Sequence, residues 1–302
     1  MKPITIAIIN SWTSEEQLRA ELERQRPPDS NVTIVSRNEP HDFLLIINAD
    51  PNAHPSTYKG TNALYFCMEP RLPPRFFGDW SRASDFLDQS QLCTHAFQHN
   101  LVEFHLSSPF NELLKSPSKL DAAKISVIQS NKRDDIGQKK RLDFVLALNE
   151  YLAQANFVNG SLYVTSPLDC FGTFQPLILL NRRGVLPYKQ KGDGLAPYKY
   201  HFAAENNAID NYFTEKIVDG ILMECLVFYW GCPNLEEYLP AESFVRLELE
   251  DMGADCATIE RAIKEDWWSA RLPAIKEAKH RILYKLSFFP HVEEILRARL
   301  VD

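Results

Sequence analysis

Two adjoining stretches hold the residues best suited to chemistry: Tyr198-Lys-Tyr-His-Phe-Ala-Ala-Glu-Asn-Asn, then Ala208-Ile-Asp-Asn-Tyr-Phe-Thr-Glu-Lys-Ile. The first reads as a strand that delivers Glu205 and Asn206 at its carboxyl end. Thr214 then opens a helix, with Glu215 and Lys216 in its first turn. Unpaired N–H groups at a helix start attract anions. Lys216 adds a mobile positive charge that can meet a diphosphate oxygen. Glu215 can accept hydrogen bonds from sugar or ribose hydroxyls, and Tyr212 can donate one to a phosphate or flank a sugar. The pattern points to a phosphate-bearing ligand. A plain capped helix, with Thr214 as its N-cap, would use the same residues.

The elements that must position these groups follow from hydrophobic patterning. Short apolar runs at Ile4–Ile9, Val32–Val35, Phe43–Ile47 and Ala63–Phe66 read as buried strands of a parallel sheet. A helical pattern at Ser14–Gln25 lies between the first two, with Ser14 as N-cap and Gln17 completing a capping box. After a polar break at 116–123 comes a second set. It has a strand at Ile125–Ile128, a helix near Gln138–Gln154, and strands at Leu162–Thr165 and Tyr198–Ala204. A helix at Thr214–Glu224 and strands at Leu226–Trp230 and Phe244–Leu247 follow. From about Ala254 the chain reads as helical, broken at Pro273 and Pro290. Alternating strands and helices imply an α/β class with two doubly wound sheets. A cleft between two such domains is a common ligand site.

The 302 residues suit two domains, and 45% hydrophobic with 24% charged residues is ordinary for globular chains. A net charge of −7 lacks the basic excess of a nucleic-acid binder, so no nucleic-acid partner is expected. The six cysteines form no C-x-x-C pair, which argues against zinc and for buried thiols. There is no G-x-G-x-x-G after the first strand and no Walker-type loop, so nicotinamide enzymes and P-loop kinases are disfavoured. No D-x-D triplet is present. His95, His99, His105 and His201 read as structural groups, and Trp267-Trp268 as packing. The start of the chain lacks a signal-peptide pattern, and no apolar run reaches bilayer length. A cytoplasmic location is expected, or peripheral contact with the cytoplasmic membrane face through the basic amphipathic stretch 270–300.

The segment Tyr198–Asp251 resembles the donor-binding motif of the family 10 glycosyltransferases, the α1,3/α1,4-fucosyltransferases. The likeness rests on Phe202, Glu205-Asn206, Tyr212, Thr214-Glu215-Lys216, Asp219, the run Tyr229-Trp-Gly-Cys-Pro-Asn234, Pro240 and Ser243-Phe244-Val245. Asn207 stands where a Ser is common, and Cys225-Leu-Val-Phe lacks a Pro often found there. The resemblance implies a GT-B fold: two Rossmann-like domains facing a cleft, with a helical C-terminal tail. Residues 1–120 would bind the acceptor and 121–270 the sugar nucleotide, with 271–302 packing across both.

The resemblance also implies site roles. Glu205, Asn206, Tyr212, Thr214, Glu215 and Lys216 would contact GDP-fucose. Ser130-Asn131, after the strand Ile125–Ile128, and Arg141 in the next helix resemble further donor-binding positions. A donor-binding arginine is expected upstream of the main motif, at Arg183 or Arg182, where a guanidinium can grip phosphate bidentately. Glu69, directly after an apolar strand, resembles the family's general base. The implied reaction moves L-fucose from GDP-β-L-fucose to a hydroxyl of an oligosaccharide or glycoconjugate, with inversion. No cofactor is required, and a divalent cation, Mn or Mg, would at most stimulate. A transferase using another nucleotide sugar and a non-catalytic sugar-nucleotide-binding relative are the alternatives.

Overall fold

A computed structural model describes residues 3–10, 12–48, 57–68, 89–94, 104–158, 161–187 and 189–300. The chain forms two compact units. One comprises residues 1–102, 210–212 and 283–302; the other comprises 103–209 and 213–282. The first change of unit along the chain falls at 102/103. Residues 271–282 lie with the second unit and 283–302 with the first.

The first unit runs β1 (Ile4–Asn10), α1 (Glu15–Arg24), β2 (Val32–Ile34), β3 (Phe43–Ile47), β4 (Ala63–Cys67) and β5 (Leu92–Thr94). Its sheet has the order β2-β1-β3-β4-β5, and every pairing is parallel. The first four strands fall on the four apolar runs because a strand covered on both faces is apolar throughout. Ser14 caps α1, its Oγ accepting from the Gln17 N–H at 3.2 Å.

The second unit contains α2 (Phe110–Leu113), β6 (Asp121–Ile128), α3 (Ile136–Tyr151), β7 (Gln154–Val158), β8 (Ser161–Thr165), β9 (Leu168–Phe171) and β10 (Asn181–Gly184). It continues with β11 (Tyr198–Ala204), α4 (Glu215–Leu222), β12 (Leu226–Trp230), β13 (Phe244–Arg246), α5 (Met252–Lys264) and α6 (Trp267–Arg281). The main sheet has the order β10-β9-β6-β11-β12-β13, all parallel. Leaving aside the β7–β8 hairpin, this is the 3-2-1-4-5-6 order of a doubly wound sheet.

Helix α3 ends at Tyr151, not Gln154, because Gln154 opens the antiparallel hairpin with β8. Its start is fixed by Gln138, whose Oε1 accepts from the N–H groups of Asp134 (2.8 Å) and Asp135 (3.3 Å). The helix also packs closely on the end of β11. A Cβ on Gly137 would lie 2.1 Å from the Glu205 carbonyl oxygen and 2.6 Å from the Trp230 ring.

In the helical C-terminal stretch the expected breaks move. Pro273 lies inside α6 rather than ending it. The chain instead turns at Asp266, in the left-handed region at φ 45°, and passes through a π-helical stretch at Ile282–Leu286. Pro290 sits in the first turn of α7 (Phe288–Leu300), where a missing N–H costs nothing. That helix places Phe288, Phe289, Val292 and Leu296 in the core of the first unit, with Ile6, Ile8, Val32 and Leu45. Among the described residues no helix is long and apolar enough to cross a membrane. Cys170, Cys225, Cys232 and Cys256 are buried free thiols.

Candidate functional site

In the doubly wound sheet the strand order reverses between β6 and β11, and ligands of such sheets bind beyond the strand ends at that point. A cavity of about 310 Å³ opens there. Along its wall Ile128 ends β6 and Gln129 and Ser130 follow it, Gly172 and Thr173 follow β9, and His201 to Ala204 belong to β11. Arg141 comes from α3, Glu215 and Lys216 from α4, and Lys191 from the short turn Lys191–Gly194. Three permanent cations therefore face one carboxylate on the wall.

Of the residues singled out from sequence, Ser130, Arg141, Glu215 and Lys216 come together on this wall. Asn206 stands beside them, its Oδ1 accepting from Arg141 Nη1 at 3.1 Å, while the same guanidinium nitrogen donates to the Ala204 carbonyl at 3.3 Å. Asn131 is exposed, with its backbone N–H donating to Thr173 Oγ1 at 3.1 Å. Tyr212 is buried and belongs to the first unit. Glu69 lies outside the described residues.

Arg182 and Arg183 are not brought to this cavity. They lie on β10, the edge strand two positions out from β6, and Arg183 pairs with the buried carboxylate of Asp169 at 3.0 Å.

Glu205 takes a different place from the one its type suggested. It is fully buried, and its carboxylate accepts from the Thr214 N–H at 2.9 Å and the Thr214 hydroxyl at 2.7 Å. The Thr214 amide, read from sequence as open to an anion, is therefore already occupied by the chain's own carboxylate. The Thr214 Oγ1 in turn accepts from the Lys216 N–H (3.4 Å) and from Lys216 Nζ (2.9 Å).

The positive character of the wall thus resides in side chains. Lys216 Nζ stands 3.4 Å from both Glu205 and Glu215, longer than the ~2.7–2.9 Å of a formed charge-assisted hydrogen bond. Burial works against its charge, but Glu215 and Glu205 outweigh it and raise the Lys216 pKa. Burial likewise opposes ionisation of Glu215, yet Lys216, Lys191 and His105 hold its carboxyl well below the usual range. The wall presents fixed charges on both residues. His201 is neutral: burial and nearby Lys191 push its pKa down to about 3, while its Nδ1–H donates to the Ser126 carbonyl at 2.9 Å.

Lys191 was not found from sequence. Its signal was faint, a lysine before Gly-Asp-Gly in a turn ahead of an apolar strand, in the interval where an arginine was sought. Among the described residues no group of three His, Cys, Asp or Glu side chains is placed to hold a metal ion.

No protein-family model and no curated protein sequence matches the chain. Solved structures do resemble it. An α1,3-fucosyltransferase is 16% identical, with 100% of this chain and 91% of that one covered, at a TM-score of 0.55. The same kind of enzyme with GDP gives 0.56 over the same coverage. A β-glucosyltransferase described as a DNA-modifying enzyme, 11% identical, gives 0.50 with 97% of this chain and 100% of that one covered. At these identities the likeness establishes the fold, which is the GT-B fold of glycosyltransferases.

Proposed function

We propose that the protein is an inverting glycosyltransferase that moves L-fucose from GDP-β-L-fucose to a hydroxyl of an oligosaccharide or glycoconjugate acceptor, in α1,3 or α1,4 linkage. The observation that carries this reading is the wall at the sheet's switch point, where Arg141, Lys191 and Lys216 from three elements line one cavity, with Asp219 and Glu205 as buried counter-ions of the two lysines. A diphosphate brings two to three negative charges and many acceptor oxygens, and suits such a wall. The sequence resemblance of Tyr198–Asp251 supports the choice of GDP-fucose, and the GT-B fold is compatible with it.

In this reading Lys216, held only loosely by its carboxylate neighbours, swings onto the diphosphate and stabilises charge on the departing GDP. Arg141 holds Asn206 and the end of β11 where the nucleotide lies. Glu215, kept ionised, accepts from hydroxyls of the ribose or fucose. Glu69 takes the proton of the acceptor hydroxyl, whose oxygen attacks the anomeric carbon opposite the leaving diphosphate. The transition state has oxocarbenium character, as in other glycosyl transfers. The diphosphate charge is met by side chains, and the reaction as proposed needs no bound metal.

Thermal stabilisation by GDP, compared with UDP and CMP, tests the reading, because a ligand that binds the native state raises Tm. A rise with GDP that UDP and CMP do not match is expected, together with GDP release from GDP-fucose. Equal responses to all three nucleotides would overturn the choice of donor.

A further inference from the structure

Lys191 enters the cavity from an element other than α4, and its surroundings are unusually ordered for a lysine in a turn. The turn Lys191–Gly194 is anchored to β6, where the Ser126 hydroxyl donates to the Gly194 carbonyl. A Cβ on Gly194 would meet Leu186 at 2.8 Å and Ile128 at 3.1 Å, so the turn lies tight against the sheet. The Lys191 ammonium is 2.5 Å from Asp219 Oδ2. Asp219 is fully buried, four residues beyond Glu215 and so on the same face of α4. Its Oδ1 accepts from the His105 N–H at 3.0 Å, which fixes the carboxylate from a third direction.

An ammonium carries three N–H donors, and Asp219 engages one edge of it. A second observation points the same way. Gln129 is only 7% exposed and lines the same cavity, yet its Nε2 has no hydrogen-bond partner among the described residues. Buried amides are almost always paired, so a ligand that brings acceptors into this cavity satisfies an outstanding requirement.

We infer that Lys191 is a second cation for the diphosphate of the bound nucleotide, and that Asp219 is its positioning residue; this rests on the nucleotide reading above. Lys216 and Lys191 then approach the diphosphate from two different elements, with Gln129 donating a neutral hydrogen bond beside them. Asp219 does not touch the ligand. It holds the Lys191 ammonium at the cavity and compensates its charge when the site is empty.

Calorimetric titration of the full chain with GDP and with GMP tests this. Lys191→Met should weaken GDP binding by about tenfold to a hundredfold, the worth of a hydrogen bond to a charged group. It should weaken GMP binding much less, so the preference for GDP over GMP falls. Lys191→Arg should recover part of that preference. Asp219→Asn should also lower it, and should add nothing further on top of Lys191→Met. Undiminished GDP affinity in Lys191→Met overturns the inference. Equal loss of GDP and GMP also overturns it, because it assigns Lys191 a structural role. Failure of the wild-type protein itself to bind GDP overturns the nucleotide reading, and is seen before any variant is made.

Discussion

The Glu205 carboxylate caps the start of the helix that carries Lys216, taking both the N–H and the hydroxyl of Thr214 at 2.9 and 2.7 Å. A buried acid thus occupies the helix terminus that a phosphate would otherwise find attractive. Glu205→Ala removes those two bonds and leaves Lys216 with one fewer carboxylate. It should cost about 3 kcal/mol, from losing two hydrogen bonds to a carboxylate and leaving the Thr214 N–H unpaired. Thr214→Val, which removes only the hydroxyl contacts, should cost about 1 kcal/mol. Urea unfolding of both variants checks this, and a smaller loss for Glu205→Ala than for Thr214→Val would contradict it.

Lys216 and Glu69 should separate binding from turnover. Lys216→Ala removes the proposed charge contact to the diphosphate and should weaken GDP-fucose binding by about tenfold or more. Glu69→Gln should leave donor binding intact and abolish transfer to the acceptor. Transfer by Glu69→Gln at the wild-type rate, measured with a labelled donor, would remove Glu69 from the mechanism.

His201 predicts a specific acid sensitivity. Its pKa drops from 6.5 to about 3 on folding, because burial and Lys191 disfavour the imidazolium. The unfolded chain therefore takes up a proton that the folded chain refuses. The stability attributable to neutral His201 is complete above about pH 6.5 and is lost as the pH falls toward 3. The slope is about 1.4 kcal/mol per pH unit inside that window. The stability difference between wild type and His201→Gln should narrow as the buffer is taken from pH 7 to roughly pH 5. A difference that stays constant would show that His201 titrates normally.

Gly137→Ala tests the contact between α3 and the end of β11. The added methyl would meet two carbonyl oxygens, at 2.1 Å and 2.7 Å, and both belong to backbone. Neither can rotate away, so the helix must shift, at a cost of about 1–3 kcal/mol. Arg141 rides on the same helix, so nucleotide affinity should fall alongside Tm. An unchanged Tm for Gly137→Ala, read by calorimetry, would mean that the helix is not seated on Glu205 and Asn206.

The parts of the fold legible in sequence share one physical trait: they are strands with both faces covered. Phe43–Ile47, Tyr198–Ala204 and Leu226–Trp230 are found at the expected residues because burial on two sides leaves a continuous apolar run. The β10 strand Asn181-Arg-Arg-Gly is an edge strand with exposed arginines, and the hairpin strand Gln154–Val158 opens on a polar residue; neither shows such a run. The site divides in the same way. Glu215 and Lys216 were legible because one helix turn places them together. Lys191 was not, because its meaning depends on Asp219, a partner that only the folded chain brings within reach. Glu205 was recognised as important, but a carboxylate at a strand end can turn outward to a ligand or inward to a helix. Only packing decided that it turns inward.

The first sheet's core is completed by Phe288, Phe289, Val292 and Leu296, which follow the entire second unit in the chain. During synthesis the ribosome therefore releases nearly everything the second unit needs before the first can bury its own apolar faces. A shortened gene product ending near residue 282 would keep the switch-point cavity but expose the Ile6, Ile8 and Leu45 surface. It would then depend on chaperones for its solubility, even with the site intact.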